Sequence, residues 1–99
     1  MENMTYRQLA ESIEIFAKYN GGLDAKCWEM YAEHDEHGIT LKKTPSASDL
    51  RKLQKYGWLL GCDADYNEED SEKWENADKL SDDEIVELYE NYDGLYLVE

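Results

Sequence analysis

Asp63, Asp65 and Asn67 stand at alternate positions, which is the D-x-D-x-N opening of a loop that wraps calcium in side-chain oxygens. Such a loop, begun at Asp63, needs glycine at its sixth position for a sharp turn and a bidentate glutamate at its twelfth. Glu68 and Trp74 occupy those positions. A side chain at the turn strains it and an indole cannot coordinate a hard cation, so the EF-hand reading fails. Cys27, His34, His37 and Cys62 offer two thiols and two imidazoles, a ligand set zinc accepts. Their spacing lacks the paired-cysteine knuckle of structural zinc sites. They read as two buried reduced thiols and two turn histidines unless the fold draws the four together. His34 beside Asp35, with Ser46 or Ser48, would supply base and nucleophile for hydrolysis. No nucleophile elbow or glycine-rich phosphate loop accompanies them. A chain of 99 residues rarely encloses an enzyme-sized pocket. No catalytic residues, no metal and no cofactor are expected.

Charge carries the remaining information. Residues 1–62 hold nine Asp/Glu against eight Lys/Arg, whereas residues 63–99 hold fifteen against two. Nearly all of the net charge of −14 therefore lies in the last third of the chain. Solubility alone is served by charge spread anywhere, so segregation demands another cause. The stretch "GCDADYNEEDSEKW" contains six carboxylates and, until Lys73, no cation. Duplex DNA carries roughly one negative charge per 1.7 Å of axis, and an anionic face must be dense to compete with it. The same field opposes direct binding to nucleic acid or an anionic membrane. Lys42, Lys43, Arg51, Lys52 and Lys55 form the one basic cluster, available to pair with the acidic lobe or with an acidic patch on a partner.

The elements that must position these groups follow from periodicity. An apolar content of 41% with 12% aromatics excludes a disordered acidic tail. The length fits one domain. No apolar run reaches membrane-span length, and the N-terminal residues show no basic region followed by an apolar one, so no secretion signal is read. Thr5 and Gln8 form a capping box that opens a helix over about 5–19, ended by Gly21-Gly22. Tyr6, Leu9, Ala10, Ile13, Phe16 and Ala17 recur at helical spacing as its expected buried stripe. Alternation predicts a hairpin with strands near 26–33 and 38–42 and a turn at 34–38. Pro45, Ser46 and Ser48 open a second helix that runs to about Tyr56, buries Leu50 and Leu53, and stops at Gly57. "WLLGC" reads as a buried strand leading into an acidic loop, and Trp74 as the start of a return strand. Ser81 and Glu84 cap a third helix with Ile85, Leu88, Tyr89 and Tyr92 inward and Gly94 at its end, before a terminal strand "LYLV". The order predicts a single small α+β domain, about three helices packed on a small, mainly antiparallel sheet.

"YAEHDE" followed by "LRKLQKYGW", within residues 31–58, resembles a local pattern of small phage and mobile-element proteins. In size and charge the chain also resembles anti-defence proteins, the anti-CRISPR and anti-restriction inhibitors that imitate nucleic acid. The acidic segment lies outside the matching pattern, so the resemblance transfers no site residues. It implies a cytoplasmic inhibitor of a basic nucleic-acid-binding protein or nuclease complex, as a monomer or a homodimer. An antitoxin or immunity protein for a nuclease, or a small metal-binding domain, are the alternatives. In the predicted third helix Asp83, Glu87 and Glu90 share a face away from the apolar stripe, with Asp82 and Glu84 at its N-terminus. The expected partner-binding set is Asp63, Asp65, Glu68, Glu69, Asp70, Glu72, Asp82, Asp83, Glu87 and Glu90, with Tyr66 and Trp74 as exposed aromatic anchors.

Overall fold

The computed structural model describes residues 4–27, 30–33, 36–61 and 68–98. Helix α1 spans Tyr6–Tyr19, strands β1 and β2 span Met30–Glu33 and Glu36–Ile39, and helix α2 spans Ala47–Tyr56. Strand β3 (Leu59–Leu60), helix α3 (Glu68–Glu75), a 3-10 turn at Ala77–Lys79, helix α4 (Asp82–Glu90) and strand β4 (Leu95–Val98) follow. The sheet order is β1-β2-β4-β3 with every neighbouring pair antiparallel, so the fold is α+β as expected.

Local chemistry accounts for most boundaries. Thr5 accepts from the Gln8 N–H while the Gln8 side chain accepts from the Thr5 N–H, closing the capping box of α1. Ser81 and Glu84 do the same for α4. Gly57 ends α2 with φ of 108°, a left-handed backbone that glycine adopts without a Cβ clash. After α4 the left-handed residue is Asp93, at φ of 52°, and not the expected Gly94. A short polar side chain tolerates that conformation better than most. The hairpin is also tighter than the turn at 34–38 predicted: Glu33 already pairs with Glu36. Gly38 sits inside β2, between Tyr31 on β1 and Tyr96 on β4.

Two expectations are corrected. Residues 68–75 form helix α3 where an acidic loop and a return strand at Trp74 were expected, giving four α-helices among the described residues. Carboxylates fill its first turn and Lys73 its last, the arrangement the helix dipole favours. The second correction concerns α1. Its buried residues are Ser12 and Phe16, while Tyr6, Ala10 and Ile13 of the expected stripe are exposed. Polar tethers set the orientation. The Trp58 indole Nε1 donates to Ser12 Oγ at 2.9 Å, and Ser12 donates to the Gln8 carbonyl at 2.8 Å. Asn20, at the end of α1, donates to the Thr40 carbonyl and accepts from the Lys42 N–H at 2.7 Å.

One core joins the layers. Leu95 and Leu97 of β4 lie on the same side as Ile39 and Leu60, and pack with Leu50 and Leu53 of α2 and Ile85, Leu88 and Tyr89 of α4. Phe16 meets Trp58 edge to face at 4.7 Å between ring centroids. Helix α2 packs against α1, α4 and the 3-10 turn, so it links the neutral half of the chain to the acidic half.

Candidate functional site

Residues 68–90 form α3, the 3-10 turn and α4, and the carboxylates on them fall into two groups. In the first group each has a structural partner. Asp70 accepts from the Tyr92 hydroxyl at 2.6 Å and so ties α3 to the end of α4. Asp82 accepts from Arg51 Nη1 at 2.6 Å, whereas Asp78 has only a loose contact with Lys55 at 3.7 Å, between two exposed side chains. Arg51 also donates through Nη2 to the Leu80 carbonyl at 2.9 Å, which anchors the chain entering α4 onto α2. Glu84 is held by its capping box. The Ser81 backbone N–H, then the Ser81 hydroxyl and the nearby Lys73 ammonium keep its carboxyl below the usual range. Arg51 and Lys55 of the basic cluster thus pair internally with the acidic lobe.

The second group points outward. Glu68, Glu69 and Glu72 on α3, and Asp83, Glu87 and Glu90 on α4, are all exposed. Of these Glu69 has a loose contact with Lys73 at 3.6 Å, between two exposed side chains that solvent screens. Asp83, Glu87 and Glu90 lie opposite the buried Ile85, Leu88 and Tyr89, as helical spacing predicts. Glu75 extends the exposed row on α3 and was missed because that position was read as a strand. Between the helices runs a groove of about 160 Å3 lined by Asp70, Lys73, Glu84 and Glu87, with Leu80, Leu88 and Asn91 on its floor and rim. Of the outward carboxylates, Glu87 lines this groove, while those of α3 lie on other faces of their helix.

Three expected site residues, Asp63, Asp65 and Tyr66, lie outside the described residues. Trp74 does not: it is 1% exposed, and its Nε1 donates to the Trp58 carbonyl at 2.8 Å. It is a core residue rather than an exposed anchor. Its helical phase carries it under α3 while Glu68, Glu69 and Glu72 stay outside. Cys27 is exposed, where a buried thiol was expected. Cys62 and His34 lie outside the described residues, so the four-ligand arrangement falls there too. Among the described residues no three His, Cys, Asp or Glu side chains converge as metal ligands.

A polar centre that sequence reasoning missed lies where α1 meets α2. Asp49 is 7% exposed and accepts from Lys18 Nζ and the Tyr19 hydroxyl, each at 2.5 Å. The Tyr19 hydroxyl in turn accepts from the Ser46 N–H at 2.9 Å, while Ser46 Oγ caps the Asp49 N–H. The tyrosine is thus inserted into a capping box as a relay. Burial pushes the Asp49 carboxyl up, but Lys18, Tyr19 and Ser46 together outweigh it and hold the group below its ordinary value. The S-x-x-D spacing of Ser46 and Asp49 was the available signal.

A scan against protein-family models and searches of curated proteins and solved structures find no match to this chain. Among the described residues no helix is long and apolar enough to cross a membrane.

Proposed function

We propose that the α3/α4 face binds a basic, nucleic-acid-handling protein and occupies the channel its nucleic acid would take. The observation that carries this reading is the division of labour among the carboxylates. The fold uses Asp49, Asp70, Asp82 and Glu84, and leaves seven carboxylates on adjacent helices, Glu75 included, with no comparable structural partner. Asp83, Glu87 and Glu90 step along α4 by about 6 and then 4.5 Å at 1.5 Å rise per residue. Rows of that density stand in for phosphates toward Lys and Arg, accelerating encounter by long-range attraction and pairing at close range. Mutual repulsion on this face opposes folding, and a cationic partner relieves it. The protein acts by occupancy and not by catalysis, in the cytoplasm of a bacterial host, as a phage or mobile-element inhibitor of a CRISPR or restriction effector.

The test uses two variants that spare the structural carboxylates: Glu68→Gln/Glu69→Gln/Glu72→Gln and Asp83→Asn/Glu87→Gln/Glu90→Gln. Immobilised wild-type protein should capture a nucleic-acid-binding protein from bacterial lysate, and duplex DNA or RNA should elute it. At least one variant should bind that target about tenfold more weakly, mostly through a slower association rate, and the difference should shrink with salt. Equal capture by both variants, or a stable ternary complex with the target's nucleic-acid channel filled, overturns the proposal.

A further inference from the structure

The misplaced stripe of α1 has its own chemistry. Tyr6, Ala10, Ile13 and Ala17 follow one another at steps of four, three and four, the a/d spacing of a helix-pairing seam. At about 100° per residue they share an arc of about 60°. The helix turns Ser12 and Phe16 inward, which leaves Tyr6 95% and Ile13 42% exposed. Leu23, just beyond the helix, is 69% exposed. Ile13, Ala17 and Leu23 line an apolar pocket of about 90 Å3 at the C-terminal end of the seam, and Tyr6 stands at the other end.

The geometry points to a second copy of this chain as the occupant, with two α1 helices packed antiparallel about a twofold axis. An axis passing between residues 11 and 12 places residue i opposite residue 23−i. Tyr6 then faces Ala17 of the other copy, and Ala10 faces Ile13, so each large side chain meets a small one. Each Tyr6 ring enters the other copy's pocket beside Ala17. A parallel pairing would set Tyr6 on Tyr6 and Ala10 on Ala10, alternately crowded and empty. The charges make the same choice. Arg7 and Glu14 occupy equivalent flanking positions one heptad apart, and the antiparallel twofold brings Arg7 of each copy beside Glu14 of the other. Among the described residues neither has an ion pair within its own chain. A symmetric contact of this kind closes on itself and stops at two copies.

Sedimentation equilibrium over a concentration series tests the proposal. Wild-type protein should dimerise reversibly, and more tightly at high salt, because two chains of net charge −14 repel each other. Ile13→Glu should be monomeric and melt where wild-type protein does once diluted to its monomer, the side chain being outside the core. Arg7→Glu and Glu14→Arg should each weaken dimerisation about tenfold, and the double variant should restore it. Glu14→Arg is the sharpest case, since it lowers the repulsion between copies and yet should weaken their association. A protein that is monomeric up to its solubility limit overturns the inference, and so does a dimer indifferent to the charge swaps.

Discussion

Individual side chains divide between holding the fold and facing solvent, and two substitutions separate the roles. Trp74→Ala should cost about 3–5 kcal/mol in urea or thermal unfolding, because it empties a core site and leaves the Trp58 carbonyl without its donor. A binding anchor on the surface would instead leave stability nearly unchanged. Asp49 makes a prediction about pH. Its folded-state carboxyl lies below its ordinary value of 3.8, so the unfolded chain binds the proton first as pH falls. The stabilisation is therefore complete above about pH 5 and is lost as pH falls through the folded value. The gap in urea midpoint between wild type and Asp49→Asn should stay constant from about pH 5 to 7 and narrow below about pH 4.

Elements were legible where capping chemistry and periodicity agreed. Thr5/Gln8, Ser46, Gly57 and Ser81/Glu84 mark helix boundaries that a reader of the sequence can place within a residue or two. Helix α3 was hidden because its single buried residue, Trp74, gives no stripe, and its carboxylates read as a loop. The inward face of α1 was hidden for the opposite reason. An apolar stripe was present, but Ser12, Tyr19 and Asn20 took the inner positions through hydrogen bonds to residues 46, 27 and 20 positions away, which no local pattern reveals. In the candidate site, the α4 row followed from spacing, whereas the structural duties of Asp70 and Asp82 depend on Tyr92 and Arg51 brought close only by folding. Arg51 carries the joint between α2 and the acidic half. Arg51→Lys should destabilise by about 1–2 kcal/mol, nearly as much as Arg51→Ala, since an ammonium cannot reach Asp82 and the Leu80 carbonyl together. Chemical denaturation of both variants measures this, and a lysine variant as stable as wild type would show that charge alone suffices.

At the scale of the molecule, the sheet order places β4 between β2 and β3, with Glu36 paired to Val98 and Leu60 to Leu95. The segment between Leu60 and Leu95 contains fourteen carboxylates and two lysines. That segment is the loop that must close before the sheet exists. Closing it costs chain entropy, and here like charges must also be brought together on the way. The acidic half therefore acts as a brake on folding as well as a surface. Moderate sodium chloride should speed refolding in stopped-flow experiments and change unfolding much less, because screening relieves the crowding already reached at the barrier. An unfolding arm that takes up most of the salt effect would place closure after the rate-limiting step. A chain built this way reaches its native state more readily in the presence of a polycation, so a basic partner of the kind proposed would also hasten the formation of the surface proposed to bind it.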